Sequence, residues 1–190
     1  MVASGLVAML GANLIVWQGS NAAFTAETYN AGNNWQTGKV GLTDSDGGAA
    51  MFAVAGLTPG AHGERCIAVT ATSDVPGTVK VYLQSLTAAG LEDNITVSIE
   101  QGTGGTFGDC AGFTSEVPAA LEPVQTLAAM FAAHGVYTNA VLPWTKSAGP
   151  VTKTYKFTWA FDTTGLDDTQ VNDLQGLDVQ ANFEWELQNT

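Results

Sequence analysis

Residues 152–161 read TKTYKFTWAF. Tyr155, Phe157, Trp159 and Phe161 recur at every second position, with Lys156, Thr158 and Ala160 between them. A period of two belongs to a β-strand, whose successive side chains point to opposite faces. The segment is therefore expected to be a strand that lays an aromatic row against a core.

The same alternation spreads outward from it. Residues 177–187 put Val179, Ala181, Phe183, Trp185 and Leu187 on one face. In residues 94–101, Ile95, Val97 and Ile99 point inward. In residues 78–83, Val79, Val81 and Leu83 face away from Lys80 and Tyr82. Residues 64–71, ERCIAVTA, read as a strand with Cys66 in its apolar centre. Residues 35–43 alternate weakly and lead into the turn Asp44-Ser45-Asp46-Gly47-Gly48. With residues 51–54 as the partner strand, this reads as a β-hairpin. Leu57-Thr58-Pro59-Gly60 has the type II turn preference.

Residues 126–133 form the one helical piece, with Gly135 as its expected cap. Residues 143–150 read as a loop, and residues 165–172 as an acidic loop with Asp167 and Asp168. Short strands, turn chemistry between them and one short helix imply an all-β fold, a jelly-roll β-sandwich. No linker divides residues 23–190, so they are expected to be a single β-sandwich domain.

Residues 1–22 differ in kind. The first acid is Glu27 and the first base Lys39. In an extended chain Val2, Leu6, Leu10, Leu14 and Val16 share one face, and Val7, Met9, Ile15 and Trp17 the other. A segment apolar on both faces must be covered on both, as a central strand is. A secretory leader would carry a basic n-region, which is missing here. A membrane anchor would need an uninterrupted apolar span, which Gly5, Gly11, Asn13 and Gly19 break. The expectation is an extended apolar N-terminal arm, a donor strand that packs into protein or else a leader, with at most transient membrane contact during export.

The chain carries 18 acids against 6 bases, a net charge of −12. Nucleic acid is excluded as a partner, because phosphate contacts require clusters of Lys and Arg. The 22 glycines suit tight turns between strands. The cysteines are Cys66 and Cys110, an even pair that in an exported chain reads as one disulfide. Two buried free thiols are the alternative.

Four segments in order resemble the TasA/camelysin family of exported proteins. They are Ala23-Phe24 after the apolar segment, WQTGKVGLTD at 35–44, AVAGLTPGAHGERCIAVT at 53–70, and LQGLDVQANFEWELQNT at 174–190. The likeness covers residues 23–81 and 154–189 and is weaker between them. It implies a jelly-roll subunit of extracellular fibres, in which the arm of one copy completes the sheet of the next by donor-strand complementation. The arm residues that would do so are Val2, Leu6, Leu10, Leu14, Ile15, Val16 and Trp17. The partners implied are copies of the chain itself, in a head-to-tail homopolymer. The alternative is a monomeric cell-surface binding module, anchored by the arm, that uses exposed aromatics for carbohydrate or a partner.

No catalytic constellation accompanies these features, and neither an enzyme nor a small-molecule substrate is expected. The histidines, His62 and His134, belong to no HExxH, and no GxSxG occurs. GTGGTFG at 102–108 lacks the Lys-Ser/Thr and the helix of a phosphate loop. No cofactor is required. Asp44 and Asp46 have the spacing of a calcium turn, and Asp162, Asp167, Asp168 and Asp173 crowd a second segment. The plainer reading of both is a hairpin turn and a solvated loop. Asn94-Ile95-Thr96 matches the glycosylation sequon, and a strand start explains it equally well.

Overall fold

A computed structural model of the chain describes residues 40–52, 54, 56–87, 89–116, 121–147 and 149–189. The compact unit that holds them runs from Thr37 to Thr190. The 1–22 arm and the 22/23 boundary lie outside the described residues.

The order of elements is β1 (Val40–Asp44), β2 (His62–Ser73), β3 (Gly77–Thr87), β4 (Ile95–Thr103), β5 (Thr114–Ser115) and β6 (Leu121–Thr126). Then follow α1 (Leu127–Ala133), β7 (Val141–Lys146), β8 (Val151–Phe161), α2 (Asp168–Asp173) and β9 (Gln180–Asn189). The strands make two antiparallel sheets. The larger runs β1-β2-β8-β4, with β5 and β6 sharing the far edge of β4. The smaller runs β7-β3-β9.

The aromatic row of β8 is the floor of the core. Tyr155 stands opposite Ile67 of β2 and Gln101 of β4, and Phe157 opposite Arg65 and Ile99. Tyr155 and Phe157 are both fully buried. The smaller sheet closes over them. Its middle strand presents Val79, Val81 and Leu83, each at 0% exposure. Phe183 meets Phe157 edge-on at 4.8 Å, and Trp144 Nε1 donates to Tyr155 Oη at 2.8 Å. Burial pushes the Tyr155 hydroxyl above the ordinary tyrosine range.

The structure corrects four local expectations. First, residues 51–54 do not pair with residues 40–44. Instead β1 pairs with the end of β2, from Val40↔Ser73 to Asp44↔Val69. Met51, Phe52, Leu57 and Ala61 pack on the core as coil, with Phe52 edge-on to Phe157 at 6.1 Å. An apolar run that covers a core needs no strand partner.

Second, residues 143–150 are not all loop, because β7 includes Pro143. The register slips between Val79 and Val81, so Leu142 and Pro143 together oppose Lys80. Leu142 adopts the left-handed backbone, φ 50°. This bulge on an edge strand admits a proline that has no N–H for the ladder. The stretch before α1 likewise holds two further edge strands, β5 and β6, against β4.

Third, the acidic segment contains α2. Asp167 caps it through a reciprocal pair of 2.9 Å bonds with Gln170, a capping box. Fourth, Gly135 does not end α1 by a left-handed turn. His134 is the C-cap, and its N–H reaches Met130 O at 2.7 Å. Gly135 is needed for closeness instead, since a Cβ there would lie 2.8 Å from Phe131 O. At the other end Thr126 Oγ1 accepts from Ala129 N at 3.1 Å, as an N-cap does.

Candidate functional site

The arm residues Val2, Leu6, Leu10, Leu14, Ile15, Val16 and Trp17 lie outside the described residues. What a strand-like partner would meet on the sandwich is visible, because its two flanks differ.

One flank is closed. On β7 the inner residues Val141, Leu142 and Trp144 are 6–9% exposed. Helix α1 lies over β3, β4 and β6 and buries Leu127 and Met130 between the sheets. His134 completes the closure. Its carbonyl accepts from Leu83 N of β3 at 2.9 Å. Its Nδ1–H donates to Asn139 O at 2.7 Å, and Nε2 lies 3.4 Å from Glu122 of β6. The imidazole thus ties an edge of the large sheet to the segment that leads into β7.

The other flank has no covering element among the described residues. There β1 of the large sheet and β9 of the small one lie near each other. Among the described residues β9 pairs only with β3, and β1 only with β2. Strand β9 is 10 residues long, or roughly 33 Å at the rise of a strand. Among the described residues nothing pairs with its outer side, which over that length offers N–H and C=O groups. Its inner row is poorly covered: Ala181, Phe183 and Trp185 are half-buried, whereas the facing valines of β3 are fully buried. Trp185 Nε1 is inaccessible to solvent and has no hydrogen-bond partner among the described residues. A buried N–H of this kind is uncommon and costly. On the opposite face of β9, Glu186 accepts from Tyr82 Oη at 3.0 Å. Burial, and then this carboxylate, raises the Tyr82 hydroxyl.

Cys66 and Cys110 are joined by a disulfide, with Cα atoms 5.2 Å apart. Cys66 sits fully buried on β2, and Cys110 on the 104–113 loop that hangs from β4. Strand β8 lies between those two strands, so the bond spans it. Glycines make the approach feasible. A Cβ on Gly102 would fall 2.1 Å from Thr114 O, and one on Gly104 would fall 2.2 Å from Gly112 O. Gly108 N then donates to Cys66 O at 2.9 Å.

Four of the six acids singled out in the sequence turn to nearby backbone. Asp44 Oδ1 accepts from Asp46 N at 3.2 Å, and Asp46 Oδ1 from Gly48 N at 2.6 Å. Partial burial, then the Asp46 carboxylate, raises Asp44. Asp162 Oδ1 accepts from Thr164 N at 2.9 Å, and Asp167 caps α2. No three His, Cys, Asp or Glu side chains among the described residues are grouped to hold a metal ion. Among the same residues no helix is long and apolar enough to cross a membrane.

The alternation in residues 177–187 made the inner row of β9 legible, but nothing in it signals that the strand lacks a neighbour. No protein-family model matches this chain, and comparison with curated proteins finds no match.

Proposed function

We propose that the chain is the structural subunit of an extracellular filament, a biofilm-matrix fibre, built on a jelly-roll sandwich. In this reading the N-terminal arm of one copy adds a strand to the next copy along the outer side of β9. The observation that carries it is the half-covered row Ala181, Phe183 and Trp185 beside a strand edge with no partner among the described residues. An extended chain apolar on both faces supplies what that edge lacks. Its backbone pairs with β9, and its side chains cover the row. The contact joins two different surfaces of the same molecule, so it does not close and propagates as a filament. The resemblance of residues 23–81 and 154–189 to an exported fibre-forming family supports the same reading. We assign the chain no catalytic role and no required cofactor.

Deleting residues 1–20 tests it. The truncated chain is expected to keep its fold by circular dichroism and to form no filaments in negative-stain microscopy. Filaments of normal length from the truncated chain would refute the reading.

A further inference from the structure

The bases of this acidic chain are few, and most are engaged within it. Lys153 pairs with Glu116, and Lys156 with Glu100 at 2.7 Å. Lys80 donates to Tyr137 O and lies 4.5 Å from the centre of that ring. Lys146 is fully buried, with Nζ 2.6 Å from Ser73 O and 2.8 Å from Ser147 O. Among the described bases Arg65 is the exposed one, and it has neither a carboxylate nor a ring for a partner. Its one bond runs from Nη1 to the adjacent Glu64 O, 3.1 Å.

Arg65 stands where the core cover gives out. Ile67, Val69 and Ala71 are the buried inner positions of β2. Carried back along the strand, the alternation places Arg65 and Gly63 on the same face. Here Arg65 is exposed and Gly63 half-buried, and a cleft of about 700 Å³ opens over them. Trp159 of β8 stands directly opposite Gly63 and lines the cleft with Arg65, His62, Phe52, Val54 and Pro59. The indole lies against the glycine, since a Cβ on Gly63 would come within 3.0 Å of Trp159 Nε1. His62 Nδ1–H donates to Gly60 O at 3.0 Å, and Nε2 has no partner among the described residues.

We propose that this cleft binds a carboxylated sugar ring, one residue of an acidic polysaccharide. Each part of the ligand has a counterpart. The half-buried indole offers a flat apolar surface to the C–H face of a pyranose. The guanidinium offers a planar fork to its carboxylate. Nε2 of His62 can take a hydroxyl. The size lies within the range of small-ligand sites. In a chain of net charge −12, Arg65 is an exposed cation with no acid partner among the described residues. The proposal is independent of how the chain assembles.

The test titrates the full chain with a galacturonate tetrasaccharide and, in parallel, with cellotetraose, which has the same number of rings and no charge. Calorimetry is expected to show binding of the acidic sugar, stronger than that of the neutral one and weakened by added salt. Arg65→Gln should weaken it by about tenfold or more, the usual loss for a charged hydrogen bond. Circular dichroism checks that this exposed substitution leaves the fold intact. Tryptophan fluorescence should respond to the acidic sugar in the wild type, and that response should vanish in Trp159→Phe. No binding of the galacturonate, equal binding of both sugars, or an unchanged affinity in Arg65→Gln would each overturn the proposal.

Discussion

Tyr155 and Trp185 face each other between the two sheets with ring centroids 5.4 Å apart, and only one of them is fully covered. Tyr155 receives the indole N–H of Trp144, while the indole N–H of Trp185 goes unanswered among the described residues. Removing that N–H while keeping a ring should therefore be mild. Trp185→Phe is expected to stay within about 1 kcal/mol of wild-type stability, because the lost area is offset by the lost unpaired donor. Trp185→Ala, which opens the flank, should cost about 3 kcal/mol. Urea denaturation of both variants checks the difference.

A synthetic peptide of residues 2–17, added to the chain lacking residues 1–20, should protect one flank selectively. Amide exchange is expected to slow along β9 far more than along β7, where the inner residues are already covered. Protection centred on β7 would place the acceptor on the wrong flank.

Reduction of Cys66–Cys110 should lower stability markedly. The bond closes a separation of 44 residues, for which chain entropy gives about 4 kcal/mol. The Cys66→Ala, Cys110→Ala double variant should melt lower than the wild type, and a reducing agent should shift the melting of the wild type alone.

Stability should fall in acid through Glu92 and Glu116. The Glu92 carboxylate accepts from Ala89 N at 3.0 Å and Gly90 N at 2.8 Å. Its own N–H first, and then these two, hold it below the ordinary glutamate value. Lys153 does the same for Glu116. Both folded values lie below the unfolded ones. Their contribution is therefore complete above about pH 4.3 and is lost as pH falls through the folded values. Glu92→Gln is expected to melt lower at pH 7 and to lose less on going to acid, as read from melting temperatures across pH.

Gly102→Ala should be among the most damaging single-methyl changes. The new Cβ would meet the backbone oxygen of Thr114 at 2.1 Å and the ring of Phe113 at 2.8 Å. Backbone cannot give way as a flexible side chain does, so β5 must separate from β4. A loss of about 1–3 kcal/mol is expected, with faster exchange at Thr114 and Ser115.

Much of the sandwich was legible because its strands speak with one period. The rows of β3, β4, β8 and β9 each alternate in sequence; the structure buries those of β3 and β4 and most of β8, and leaves that of β9 mostly half-buried. Strand β7 was hidden by Pro143, whose place in a strand depends on the left-handed Leu142 and a slipped register. Neither can be read from residue types. The 51–54 segment misled for the opposite reason: Phe52 is apolar because it covers Phe157, not because it pairs in a ladder. The candidate site was the least legible part. An open edge is a property of which strands pair, and the residues of β9 look the same with or without a neighbour. The cleft was equally hidden, because Arg65 and Trp159 are 94 positions apart in sequence and meet only through the β2–β8 register.

The internal engagement of the lysines has a consequence for how copies meet. With the described lysines held by Glu100, Glu116, Tyr137 and backbone carbonyls, the described surface carries its negative charge with little relief. Two copies approaching in dilute buffer repel each other at distances set by the Debye length, about 10 Å at 0.1 M salt and about 30 Å at 0.01 M. If copies associate, they do so against a kinetic barrier that mobile ions lower. Ionic strength acts as a throttle on the rate of encounter, upstream of any contact that the folded surfaces make.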